Sequence, residues 1–146
     1  MEAVMEYREI TPDDVPELAK IYMDTFNAEP WFDKWTEKTA GKRLAQLLSH
    51  EESDGLVSVE NEAITGMILG EEEQYFDGVI FTIKEFCVKN DLRGKGIGKA
   101  LLAEFENRLR AKGIRSVLLF TAPEDKAFYQ KRGYAETELL ALEKEL

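Results

Sequence analysis

The stretch LRGKGIGKALL, Leu92 to Leu102, sets Gly94, Gly96 and Gly98 at alternate positions and interleaves them with Arg93, Lys95 and Lys99. Glycine costs conformational entropy on folding, so such a cluster marks unusual backbone angles or a partner that approaches the backbone closely. At a strand-to-helix junction it also presents free N–H groups and the positive end of a helix dipole, which together attract an anion. Two specific phosphate motifs are absent. The dinucleotide fingerprint G-x-G-x-x-G, begun at Gly94 and Gly96, ends on Lys99. The P-loop pattern G-x-x-x-x-G-K-[S/T] meets Arg93 where glycine is required and Ala100 where a hydroxyl is required. Hydride transfer and nucleotide hydrolysis are therefore set aside, and a generic anion cradle remains.

Few other residues offer chemistry. Cys87 has no histidine to activate it, since the sole histidine, His50, falls at the end of a different predicted helix. A buried small apolar residue is its ordinary role. One histidine and one cysteine give no metal-ligand spacing, so no metal is expected.

The elements that must position these residues form a short list. Thr11, Pro12, Asp13 and Asp14 open a helix after a strand within Met5 to Ile10, and a second helix spans about Thr36 to Ser49. Two strands follow around Asn61, then GEEEQYFDG as a polar connection, then a strand from Val79 to Val88 leading into the glycines. In the next helix Ile97, Leu101, Leu102, Phe105 and Leu109 form one apolar stripe, and Gly113 stops it. RSVLLFT reads as a strand covered on both faces, PEDKAFYQKR as a short helix ended by Gly133, and YAETELLALEKEL as one or two closing strands. The expectation is a mixed, mostly antiparallel α/β sheet of six to seven strands flanked by about four helices.

The totals agree. With 146 residues and 44% hydrophobic content, residues 1–146 read as a single domain with one core. Twenty-nine acidic against 19 basic residues give a net charge of −10, which disfavours nucleic acid and anionic membranes and favours cationic partners. The lone cysteine, and a start at Met1 to Ile10 without a basic and then apolar pattern, predict the cytoplasm. No apolar run approaches the roughly 18 residues of a membrane span.

Arg93-Gly94-Lys95-Gly96-Ile97-Gly98 matches R/Q-x-x-G-x-G/A and resembles the acyl-CoA-binding motif of the GCN5-related N-acetyltransferase (GNAT) superfamily. FYQKRGY, Phe128 to Tyr134, resembles that family's second signature, and the helix and strand between the two also fit. The resemblance implies a GNAT-like acyl-CoA N-acyltransferase fold with acetyl-CoA as co-substrate. It implies that backbone N–H groups from Arg93 to Lys99, with Gly94, Lys95, Gly96, Ile97 and Gly98 between them, cradle the CoA pyrophosphate. The strand ending at Cys87 and Val88 would splay from its neighbour and pair with the pantetheine arm, with the Val88 N–H as oxyanion donor. Tyr129 would meet the leaving sulfur as donor or acid. Many members carry an asparagine after the strand corresponding to VLLFT; none occurs in TAPEDKAFY, so Thr121 or backbone must substitute.

Direct attack by an amine of ordinary pKa about 10.4 requires deprotonation that costs roughly 4 kcal/mol at pH 7. Glu85 is the candidate base, directly or through water. If the strand carries no bulge, Glu85 shares one face with Phe81, Ile83 and Cys87; a bulge would reverse that parity. On the acceptor side, the family's segment between the first two helices often walls the pocket. Here FNAEPWFDKW gathers Trp31, Phe32 and Trp35 with Glu29 and Asp33, a composition suited to a cation. Trp31, Trp35 and Glu85 are accordingly expected to bind a small cationic amine or a basic peptide. A catalytically silent acyl-CoA sensor and an acyltransferase for longer acyl groups or hydroxyl acceptors are the alternatives, and a homodimer through C-terminal strands is possible.

Overall fold

The computed structural model describes residues 4–146. Five strands lie side by side in chain order: β1 (Glu6–Glu9), β2 (Ser53–Glu60), β3 (Ala63–Tyr75), β4 (Gly78–Val88) and β5 (Ser116–Leu119). The first four pair antiparallel, and β5 joins β4 in parallel after a crossover through α3 (Ile97–Ala111). Helices α1 (Val15–Asn27) and α2 (Glu37–Ser49) precede β2, and the short α4 (Lys126–Gln130) follows β5.

The two faces of the sheet bury separate apolar clusters. Leu18, Tyr22, Leu44, Met67, Leu69 and Cys87 join α1 and α2 to one face. Leu56, Ile68, Phe81, Leu101, Phe105 and Leu109 join α3 to the other, with Phe81 and Phe105 edge to face at 5.1 Å. Such central side chains each contribute roughly 1.5–3 kcal/mol by leaving water. Buried Asp54 on β2 anchors the α3 side, accepting from Arg108 Nε at 3.0 Å and Lys112 Nζ at 2.7 Å.

Three expectations change. The sheet has five strands rather than six or seven: residues 135–146 form no strand, the chain running along the groove beside β5 with Glu136 held by Lys126 instead of joining the open edge of that strand. GEEEQYFDG is not a connection throughout; β3 continues to Tyr75 and the turn is confined to Phe76 and Asp77. Its glutamates are held by cross-element partners, Glu73 accepting from the Thr82 hydroxyl at 2.8 Å and Glu71 meeting His50 at 2.6 Å.

The third change concerns β4. Leu69 pairs with Glu85 and its neighbour Gly70 with Ile83, so exposed Lys84 is an extra residue, a bulge. Beyond it the facing reverses: Phe81 and Ile83 point to α3, whereas Glu85 and Cys87 point to α1 and α2. Glu85 therefore does not share a face with Phe81 and Ile83.

Candidate active site

The β4/β5 register ends at Ile83 and Leu119, while β4 runs five residues further. From Lys84 to Val88 the edge of β4 is thus open on the β5 side. Lys89 N–H donates to the Thr65 carbonyl at 2.9 Å. Antiparallel ladders alternate inward and outward pairs, so Val88, opposite Gly66, turns its N–H into the gap, and Cys87 directs its backbone to Met67. The Cys87 side chain is buried against the α1/α2 core, and burial pushes its thiol up to about 12.

The gap leads to the glycine turn. Gly94 and Gly96 have φ of 78° and 80°, the left-handed region that glycine enters without steric cost, and Gly96 is the residue before α3. A Cβ at either would meet no atom within 4 Å, so the space above them is clear of protein. At Gly98 a Cβ would touch Val88 at 3.5 Å and Phe86 at 3.6 Å, which makes that glycine a point of close helix-to-strand approach. Ala100 N–H closes the first helical bond to the Gly96 carbonyl at 3.1 Å. The N–H groups of Gly94 to Lys99 find no acceptor among the described residues, as the start of a helix leaves them. Arg93, Lys95 and Lys99 are grouped at the same turn. This arrangement fits a pyrophosphate.

Glu85, Trp31 and Tyr129 line one cavity of about 170 Å³, together with Phe26, Thr121 and Asp125. Glu85 is 8% exposed. Its Oε1 accepts from the Tyr22 hydroxyl at 2.9 Å and from Arg43 Nε at 3.1 Å; Oε2 takes no hydrogen bond from the described residues. Burial raises the Glu85 carboxyl above its ordinary range against the pull of Tyr22 and Arg43, and the nearby Asp33 charge adds to the rise. Tyr22 and Arg43 lie 63 and 42 residues away in sequence, and no local pattern could have announced them.

Tyr129 sits among Phe128, Tyr134 and Phe86 at centroid distances of 5.1, 5.7 and 6.4 Å. Burial, then the charge of Asp125, pushes its phenol up to about 12, which keeps it protonated as a donor. The Tyr134 hydroxyl donates to Glu106 at 2.7 Å and ties the segment after α4 to α3.

The two tryptophans divide. Trp31 stands at the cavity, edge to face with Phe26 at 5.0 Å, with the Arg93 guanidinium over its ring at 5.2 Å. Trp35 packs against the α1/α2 core behind it, edge to face with Tyr22 at 4.9 Å, and is not among the residues lining the cavity. Asn27 holds the Trp35 backbone at both ends, accepting from its N–H at 2.8 Å and donating to its carbonyl at 2.9 Å. No group of three or more potential metal ligands occurs among the described residues. No described helix is long and apolar enough to cross a membrane.

The family model described as an acetyltransferase (GNAT) domain matches residues 9–145. An acetyltransferase of Pectobacterium atrosepticum is 26% identical over 145 residues, covering 97% of this chain and 96% of its own. A possible acetyltransferase from Clostridium difficile has a similar structure, with a TM-score of 0.84, 22% identity and 98% of each chain covered. A predicted acetyltransferase from Clostridium acetobutylicum, solved with acetyl-CoA, gives a TM-score of 0.74 at 20% identity over 96% of each chain.

Proposed function

The chain belongs to the GNAT acetyltransferases, N-acetyltransferases that use acetyl-CoA, and from that premise we propose that its acceptor is a small cationic amine or basic peptide terminus held between Trp31 and Glu85. The observation that carries this reading is the Glu85 carboxylate. It is buried, anchored through one oxygen and free at the other, in the cavity that also contains Trp31 and Tyr129. An aromatic face beside a carboxylate attracts an ammonium group, and the carboxylate can then accept its proton.

In the proposed step the neutral amine nitrogen forms a bond to the thioester carbonyl carbon. Glu85 has by then taken one proton from the bound ammonium, directly or through water, and the proton that the nitrogen sheds after attack passes to water. The Val88 N–H stabilises the negative charge on the carbonyl oxygen, and a preorganised donor of this kind contributes about 3–4 kcal/mol. The carbon–sulfur bond breaks and Tyr129 donates a hydrogen bond to the departing thiolate. With its phenol near 12 and a thiol near 8.5, full transfer of the proton would be uphill by about 5 kcal/mol, so hydrogen bonding is the role assigned to Tyr129. The backbone of Arg93 to Lys99 holds the pyrophosphate. We further read residues 1–146 as a single domain working in the cytoplasm, where a buried lone Cys87 stays reduced.

The experiment is a screen for release of free CoA thiol across cationic and neutral amines, followed by mass analysis of the product. Acetylation of cationic amines is the expected result. Turnover confined to neutral amines or alcohols would exclude the cation site, and tight acetyl-CoA binding without turnover on any of them would exclude the catalytic roles.

A further inference from the structure

Asp125 borders the same cavity as Glu85, Trp31 and Tyr129 and takes no part in the transfer step. It is the residue directly before α4, where an aspartate ordinarily accepts from the backbone N–H groups of the first turn, yet its side chain makes no such bond. Its carboxylate accepts no hydrogen bond and joins no ion pair among the described residues. The charge of Asp125 reaches Tyr129, one turn further along α4, and the Arg93 guanidinium over Trp31 acts on it in return. The carboxylate is therefore directed at the cavity and away from its own helix.

Glu85 and Asp125 stand apart within that cavity, Glu85 on β4 and Asp125 beyond the end of β5. Burial and the neighbouring Glu124 raise the Asp125 carboxyl, and Glu85 is not among the charges that act on it. Two carboxylates close enough to share one proton would raise at least one of the pair through the charge of the other. These two are spaced for two cations. Glu85 already has Tyr22 and Arg43 on one oxygen, whereas half-buried Asp125 has no counterion. A carboxylate that has lost part of its hydration without gaining a partner profits most from a cation that arrives with the ligand. Exposed Lys84 also borders the cavity and pairs with neither carboxylate.

We infer that Asp125 selects the acceptor, and that the acceptor is a short diamine with one nitrogen at Glu85 and the other held as an ammonium at Asp125. The inference deepens the acceptor reading above and rests on it. A cavity of about 170 Å³ suits a short alkyl chain between the two groups, with Trp31 and Phe120 as aromatic surface beside it. Only the nitrogen at Glu85 is deprotonated, bonds to the thioester carbon and becomes an amide as the carbon–sulfur bond breaks. The nitrogen at Asp125 keeps its protons and its charge. The product carries one cation where the substrate carried two, so it fills one anchor only and re-enters poorly for a second transfer.

Initial rates with butane-1,4-diamine, pentylamine and 5-aminopentanoate at saturating acetyl-CoA test this, because the three share one spacer and end in an ammonium, a methyl group and a carboxylate. The diamine should exceed pentylamine by about tenfold or more in kcat/KM, pentylamine should exceed 5-aminopentanoate, and mass analysis should show the monoacetylated diamine accumulating. In Asp125→Asn, which puts an equally good residue before α4, the ratio of diamine to pentylamine should fall to about twofold or less, with circular dichroism to verify the fold. Equal use of diamine and pentylamine by the wild-type chain, or a ratio unchanged in Asp125→Asn, overturns the inference and leaves the cation reading of Glu85 standing. Turnover of none of the three overturns it whatever the wider amine screen finds.

Discussion

The Tyr22 hydroxyl donates to Glu85 Oε1 at 2.9 Å, and this bond from α1 to the far end of β4 fixes the buried carboxylate with its other oxygen open to the cavity. Glu85→Gln should lower kcat by roughly a hundredfold or more, the scale of a lost general base. Because the folded carboxyl is raised, wild-type kcat/KM should fall as pH drops through a value above the ordinary carboxylate range. That acid limb should vanish in the variant. Tyr22→Phe removes a bond to the charged form and should move the limb to higher pH. An identical pH profile in Glu85→Gln would take Glu85 out of the mechanism.

Tyr129→Phe keeps the ring that packs on Phe128 and Tyr134 and removes only the hydroxyl. The expected outcome is a kcat about ten- to a hundredfold lower, with acetyl-CoA affinity changed less than about threefold. Steady-state kinetics beside direct binding measurements decide it; undiminished turnover would leave Tyr129 with a packing role alone.

Gly96→Val tests the turn, and Gly113→Val supplies its control. Both glycines have φ near +80° with nothing within 4 Å of a new Cβ, so both substitutions carry a similar backbone strain of about 1–2 kcal/mol. Calorimetry should show comparable losses of stability. Only Gly96→Val should weaken acetyl-CoA binding, by about tenfold or more, because its branches enter the space above the free N–H groups. Equal affinities in the two variants would make the turn purely structural.

How far these residues were readable beforehand depended on the range of the interactions that place them. The glycine turn and the helix after it are local, so their spacing was enough to place a turn with free N–H groups at the start of α3. The one or two closing strands expected in YAETELLALEKEL do not form, because strand-like composition does not by itself bring a segment to the edge of the sheet. The facing of Glu85 turned on one bulged residue that leaves no signature in VIFTIKEFCV. Its anchors, Tyr22 and Arg43, come from helices far away in sequence, and only the fold brings them together.

The Arg93 guanidinium over Trp31 links the glycine turn to the cavity that holds Glu85. Trp31→Ala should raise the acceptor KM and also weaken acetyl-CoA binding by about two- to fivefold, the worth of an exposed cation–π contact. Isothermal titration with acetyl-CoA alone measures the second effect; unchanged binding there would show that the stack does not support the turn.

Asp54 is a stability prediction remote from the cavity. Burial alone would raise its carboxyl, but Arg108 and Lys112 outweigh burial and bring it below the usual value. A lowered folded pKa means its contribution is present above the unfolded value of about 4 and is lost as pH falls through the lower folded value. Asp54→Asn should cost about 2 kcal/mol at pH 7, less than a fully buried pair because both partners are partly exposed. Urea unfolding at pH 7 and pH 3 should show the wild-type advantage shrinking in acid. A constant difference would be evidence against the ion pairs.

The extra residue at Lys84 lets one strand serve two masters: its first half faces the α3 core and its second half hands the same parity to the opposite layer. Length, more than chemistry, is therefore what this position encodes. Lys84 is exposed, and replacing it with another polar residue should pass unnoticed. Deleting that single codon would set Ile83 and Glu85 side by side opposite Gly70 and Leu69, and plain alternation would then keep Ile83 and Phe86 facing α3 and Glu85 and Cys87 facing α1 and α2. A mutational scan of substitutions would rate the site as neutral, and a scan of deletions would find it more tolerant than the paired positions of β4 on either side of it.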